Sequence, residues 1–200
     1  MESPSRIYLA RHGQVKGYET MPIYGHTDVP TTEIGMLQAR HLAERLRFAD
    51  IGAIYSSDLD RASSMAYQIG RYHDVPVRLL PRLREMNFGD WEGTTLAELR
   101  RAFPEELEKR QADLVNYSNP GGGESLGSFS RRVIGCFEDL RHDQSEGNFV
   151  IVAHAGVNRV IICNALGLEL EKIFTIHQDY GCLNIIDYLK DSALIRLLNG

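Results

Sequence analysis

The chain has 200 residues, 22 Lys and Arg against 27 Asp and Glu, and a formal net charge of −5 at pH 7. That balance excludes a nucleic-acid binder working through a general basic surface, but leaves room for a local cationic pocket. The length allows a substantial core, the 43% hydrophobic share is that of a soluble globular protein, and no apolar run approaches the roughly 20 residues that cross a bilayer.

The opening Met1-Glu2-Ser3-Pro4-Ser5 lacks the basic and apolar head of a secretion signal. Ile7-Tyr8-Leu9-Ala10 then runs into Arg11-His12-Gly13, which reads as a buried strand ending on a cation, an imidazole and a glycine. Alone, this reads first as a core strand that ends in two surface polar residues. A polar, Gly/Pro-punctuated loop follows from Gln14 to Thr32, and Thr32 is the expected N-cap of a helix with Ala39, Leu42, Ala43 and Leu46 on one face. Ile51 to Tyr55 reads as a second strand. Ser56-Ser57-Asp58 is expected to start the next helix, which carries Leu59, Ala62, Ala66 and Ile69 on one side and Arg61 in its first turn. Val75 to Leu80 reads as a third strand, and Pro76 places it at an edge.

From Leu83 to Gly123 the pattern changes. Gly89-Asp90-Trp91-Glu92-Gly93 reads as a loop, Leu96 to Tyr117 as a charged helical stretch broken at Pro104, and Asn119 to Gly123 as a turn. We read about 84–123 as a helical cap inserted over the sheet edge within a single domain spanning 1–200. A helix with Leu126, Phe129, Val133, Phe137 and Leu140 toward the core follows. Asn148 to Ala153 is a continuously apolar central strand that ends in His154-Ala155-Gly156, followed by a helix with Val157, Val160, Ile161 and Leu166. Cys182 to Tyr188 and Ala193 to Leu198 read as a closing pair of strands. The alternation implies an α/β fold, a three-layer α/β/α sandwich with a mainly parallel sheet. Cys136, Cys163 and Cys182 are widely spaced among apolar neighbours, which points to buried free thiols in a reducing, cytoplasmic compartment rather than disulfides or a zinc site.

Two strand ends match each other, Ala10-Arg11-His12-Gly13 and Val152-Ala153-His154-Ala155-Gly156. With Arg61 they bring two histidines and two arginines to one sheet edge, a set of donors suited to a tetrahedral dianion. No G-x-G-x-x-G follows the first strand, which argues against a dinucleotide-binding oxidoreductase. The aromatic residues Tyr18, Tyr24, Phe88, Trp91 and Tyr117 could stack on a planar base or serve as ordinary packing.

At these residues the chain resembles the histidine phosphatase superfamily, the phosphoglycerate-mutase-like enzymes. The matches, in family order, are Arg11-His12-Gly13, the loop Gly25 to Pro30, Ser56-Ser57-Asp58-Leu59-Asp60-Arg61-Ala62, Glu85 with Gly89-Asp90-Trp91-Glu92-Gly93, Gly123-Glu124-Ser125, and His154 before its helix. The resemblance implies that His12 is the nucleophile, forming a phosphohistidine, that Arg11, Arg61 and His154 hold the phosphoryl oxygens, and that Glu85 is the general acid. It implies no metal and no cofactor, because side chains supply the cations. Gly13, Tyr18, Tyr24, Gly25 and Ala155 are further candidates for the substrate pocket. Tyr18 stands where the family often has Asn, Tyr24 where Gln is common, and Thr31 where Leu is usual, which weakens a residue-by-residue transfer of phosphate contacts to that loop but not to His12, Arg11, Arg61, Glu85 and His154.

Mutases of the superfamily follow the acid with Arg-His-Tyr-Gly, whereas Glu85 is followed by Met86-Asn87-Phe88-Gly89. Loss of that cation favours hydrolysis. The segments Glu85 to Glu92 and Gln178 to Asp187 are similar to those of the α-ribazole-5′-phosphate phosphatases, which act in assembling the nucleotide loop of cobalamin. A broad-specificity or sugar-phosphate phosphatase is the alternative with the same chemistry, and a phosphate-binding module the non-enzyme one. The expected partner is a small phosphate ester, with no nucleic acid and no membrane, for a monomer or homodimer.

Overall fold

The computed structural model describes residues 5–20, 22–143, 147–190 and 192–200, so the reading of Met1 to Pro4 lies outside the described residues. Strand β1 (Ser5–Arg11) buries Ile7 and Leu9 against one layer of helices and Tyr8 and Ala10 against the other. A strand covered on both faces needs this uninterrupted apolar run. Around it lie β2 (Ala53–Ser56), β3 (Val77–Leu79), β4 (Phe149–Ala153), β5 (Leu183–Tyr188) and β6 (Ala193–Leu197), in the order β3-β2-β4-β1-β5-β6. The four strands β3, β2, β4 and β1 pair in parallel. Strand β5 runs antiparallel to β1 and to β6, so the sheet is mixed, its four parallel strands followed by a closing hairpin as expected.

Helices α1 (Glu33–Leu46) and α2 (Asp60–Gly70) pack on the face of Tyr8, Ile54, Val150 and Val152. On the opposite face, α5 (Leu126–Asp143) and α6 (Ala155–Leu166) cover Ile7, Tyr55, Phe149 and Ile151. Three layers result. Because β1, β2 and β4 are parallel neighbours, their C-terminal ends share one edge, where open α/β sheets gather ligands. Between β3 and α5 the chain forms a 3₁₀ turn (Pro81–Leu83), a second one (Gly89–Trp91), α3 (Leu96–Ala102) and α4 (Pro104–Ala112). Among the described residues no helix is long and apolar enough to cross a membrane.

Thr32 caps α1 as expected, accepting from the Gly35 N–H at 3.1 Å. The start of α2 differs. Its cap position is Leu59, with no side-chain cap bond, and Asp58 instead pairs with Arg84. The first-turn N–H of Asp60 is satisfied by Asp28, which accepts it at 2.8 Å from a loop 32 residues away, a partner that no local pattern could show. Leu166 is 48% exposed, since α6 ends there and the chain turns at Gly167 with φ 65°. Pro104 occupies the first turn of α4, where its missing N–H costs nothing, so the charged stretch is two helices. Trp91 is fully buried and stacks on Tyr117 at 5.9 Å, which makes it packing and not a surface for a substrate base. The three cysteines are buried and free.

The loop after β1 is seated on α1 through two glycines. A Cβ on Gly13 would overlap the backbone of Gly35, and one on Gly35 would overlap the Gln14 carbonyl. Gly35→Ala should therefore lower stability by about 1–3 kcal/mol, as overpacking does. A urea unfolding midpoint equal to that of the parent would contradict this backbone contact.

Candidate active site

His12 follows β1 directly and is held by the strands on either side. Its N–H donates to the Ala153 carbonyl at 3.0 Å, and its carbonyl accepts from the Gly181 N–H at 3.0 Å. The imidazole Nδ1 lies 2.8 Å from the Gly13 carbonyl. A carbonyl oxygen can only accept, so Nδ1 carries the proton and Nε2 keeps the lone pair. Burial, then the charges of Arg11 and Arg61, push the His12 pKa well below the ordinary imidazole value, which keeps the ring neutral.

His154 follows β4 directly and is 1% exposed; its ring centroid is 5.1 Å from that of His12. Its Nε2 bonds the Ser57 hydroxyl at 2.9 Å, and its Nδ1 is buried without a partner. Burial, followed by His12, Arg61 and Arg11, lowers its pKa well below the usual range. The Arg11 guanidinium lies 3.8 Å over the ring of Tyr180 and donates from Nη1 to the Gln178 carbonyl at 2.6 Å, while its Nε is buried and unpartnered. Arg61 is 1% exposed and donates to the carbonyls of Gly25 at 2.7 Å and Thr27 at 2.8 Å, with Asp28 at 3.5 Å. The edge therefore gathers positive charge, a lone pair on Nε2 and two unanswered donor-capable nitrogens, the set that a tetrahedral oxyanion would complete.

Glu85 enters from the segment after the Pro81–Leu83 turn. Its carboxylate accepts from the Gly156 N–H at 2.9 Å, and a Cβ at Gly156 would overlap it. The backbone at Glu85 is fixed from behind by Arg132, whose donors reach the carbonyls of Arg82 (2.9 Å), Arg84 (3.0 Å) and Glu85 (3.1 Å) and fork onto Glu124 (2.7 and 2.6 Å). Glu124 in turn accepts from the Asn87 N–H at 2.9 Å. One arginine thus pins both the segment leading to Glu85 and the carboxylate that holds the segment leaving it.

The structure brings His12, Arg11, Arg61, His154 and Glu85 to one edge. Gly13 contributes its carbonyl to His12 and Gly25 its carbonyl to Arg61. Ala155 is the first residue of α6. Tyr18 is 37% exposed, and the Tyr24 hydroxyl lies against Gly17; the described contacts tie neither side chain to the two histidines. Sequence reasoning gave no individual site role to Tyr180, Ser57, Gln178 or Arg132. Ser57 sits in a stretch read as a helix start and matched to the family, and Gln178 and Tyr180 in a segment quoted only for its resemblance to the α-ribazole phosphatases. The available signal was the topology itself, since a strand antiparallel to β1 must begin beside the end of β1.

Comparison with known proteins agrees with this geometry. A profile of the histidine phosphatase superfamily (branch 1) matches residues 7–200. The adenosylcobalamin/alpha-ribazole phosphatase of Salmonella typhimurium is 32% identical over 197 residues, which span 98% of this chain and 96% of that protein. Phosphoserine phosphatase 1 of Hydrogenobacter thermophilus is 28% identical over 194 residues, 97% of this chain and 92% of that protein. The crystal structure of the alpha-ribazole phosphatase from Shigella flexneri matches with a TM-score of 0.89 at 31% identity, covering 98% of this chain and 96% of that one.

Both site histidines have lowered pKa values, so the unfolded chain binds more protons than the fold in mildly acidic solution. The stability tied to their neutral form is complete above about pH 6.5 and falls as the pH drops below it. In a ¹⁵N NMR titration the His12 and His154 rings should remain neutral at pH 6; half-protonation of either near pH 6.5 would contradict their burial beside two arginines.

Proposed function

The chain belongs to the histidine phosphatase superfamily, and we propose that it hydrolyses a phosphomonoester through a phosphohistidine on His12. Phosphatase chemistry is common to the relatives it matches along nearly their full length. The observation that carries the assignment to His12 is the Nδ1–H bond to the Gly13 carbonyl, which turns the Nε2 lone pair into the reactive position. In the proposed sequence Nε2 attacks phosphorus in line with the ester oxygen, the P–O bond breaks, and protonated Glu85 delivers its proton to the departing alkoxide. Ionised Glu85 then takes a proton from water, the hydroxide attacks phosphorus, the P–N bond breaks, and inorganic phosphate leaves. Arg11, Arg61 and the Nδ1 of His154 hold the non-bridging oxygens through both steps.

For the ester itself we favour α-ribazole 5′-phosphate, in the assembly of the nucleotide loop of cobalamin. Support comes from the two segments similar to that group and from relatives that carry its name. Phosphoserine or a sugar phosphate is the second reading, favoured by the burial of Trp91, which removes one of the rings that would have faced a base. We place residues about 84–123 as a cap over the site within one domain, and the reaction in the cytoplasm, in keeping with three free buried thiols.

His12→Ala should abolish both turnover and the acid-labile phosphoenzyme trapped by a quench; near-normal activity would sink the mechanism. Glu85→Gln should slow alkyl phosphates at least about tenfold more than p-nitrophenyl phosphate, whose leaving group needs no proton. On a panel of α-ribazole 5′-phosphate, phosphoserine and several sugar phosphates, kcat/KM should be highest for the first. A panel without that preference removes the substrate assignment and leaves the phosphatase chemistry standing.

A further inference from the structure

Arg61 does not hold itself in place. Two of its donors end on the carbonyls of Gly25 and Thr27, so the direction of the remaining guanidinium follows the conformation of that loop. The loop is in turn held by one carboxylate. Glu92 Oε1 accepts from the N–H groups of His26 at 2.8 Å and Phe88 at 3.2 Å, and Oε2 accepts from the Thr27 N–H at 2.6 Å and from the Thr27 hydroxyl. Burial by itself would raise the pKa of Glu92, but these donors outweigh it and keep the group ionised. Gly25 accommodates the arrangement, because a Cβ there would collide with Glu92 and with the Met86 carbonyl. A two-way backbone pair beside it, Ile23 N–H to Thr94 (2.8 Å) and Gly93 N–H to Ile23 (2.8 Å), ties the same loop to the same segment.

We propose that Glu92 is a positioning residue for catalysis, aiming Arg61 at the phosphoryl group through the loop Gly25–Thr27. The proposal rests on the reading of Arg61 as a phosphoryl ligand. It assigns to Glu92 an effect on phosphate recognition that is independent of the leaving group, in contrast to Glu85. Glutamine cannot substitute. Whichever way its amide is turned, an NH₂ faces at least one backbone N–H, and two of the four acceptor positions are lost.

The test is a double-mutant cycle on orthovanadate affinity, with Glu92→Gln, Arg61→Ala and the double variant, each checked for folding by circular dichroism. Glu92→Gln should weaken vanadate binding about tenfold in the parent and by less than about twofold in the Arg61→Ala background, since a misaimed group costs nothing once it is absent. In the Glu92→Gln enzyme, kcat/KM should fall by the same factor for alkyl and aryl phosphates. Thr27→Val, which removes one donor to the carboxylate and preserves volume, should act in the same direction by about threefold, and it provides the test if Glu92→Gln does not fold. Additive losses in the cycle, or an unchanged Thr27→Val enzyme, would overturn the proposal and leave the phosphatase reading intact. A parent enzyme that forms no phosphoenzyme and binds no vanadate would overturn both.

Discussion

A guanidinium with 1% of its surface in water cannot be left without acceptors, and Arg61 finds them mainly in peptide carbonyls. This choice has two consequences. Carbonyls answer the hydrogen-bonding demand without cancelling the charge, so Arg61 carries its positive charge to the edge beside His12, where it suits an incoming anion. They also commit the loop after β1 to one shape. The arrangement closes on itself: α2 carries Arg61 in its first turn, Arg61 fastens the loop, and Asp28 of that loop caps α2 by accepting from Asp60.

Much of the architecture could be read from local pattern. The apolar runs that end in His12 and His154 could be placed at one edge because a continuous run implies a strand buried on both faces, and β-α alternation implies parallel pairing. Arg61 could be added because a first-turn residue lies close to the strand that precedes it. The positions whose roles could not be read share a different property: their partners lie far away in sequence. Asp28 to Asp60 spans 32 residues, Ser57 to His154 spans 97, and Arg11 to Gln178 spans 167. A serine, an aspartate or a glutamine in a polar stretch has many local uses, and nothing in its neighbours tells which distant group it meets. Trp91 and Tyr117 went the other way: in the sequence they could have been surface or core, and burial against each other decided it.

Behind the cationic edge lies a set of amides with no charge among them. The Gln178 side chain bonds Asn184 and Asn158 at 2.8 and 3.0 Å, Asn184 reaches the Leu9 carbonyl at 3.0 Å, and all three are buried. Because the main-chain carbonyl of Gln178 is what Arg11 grips, this cluster is the foundation of that cation as the loop is of Arg61. Both arginines are therefore fastened mainly by neutral groups, with Asp28 as the one charged partner described, 3.5 Å from Arg61. Their charges are positioned by peptide oxygens, while Glu92 and Glu124 act one step further out, on the backbone of the loop and of the segment after Glu85.

The bond from His12 to the carbonyl of its own neighbour, Gly13, is a contact one residue long with a stereochemical consequence. An imidazole has two nitrogens that an electrophile could modify, giving two isomeric adducts that differ in lability. Here the proximal nitrogen is blocked by its proton and faces a peptide oxygen, so any adduct formed on this ring belongs to the distal, τ series. The regiochemistry of an adduct on His12 is decided by a peptide unit before any substrate arrives.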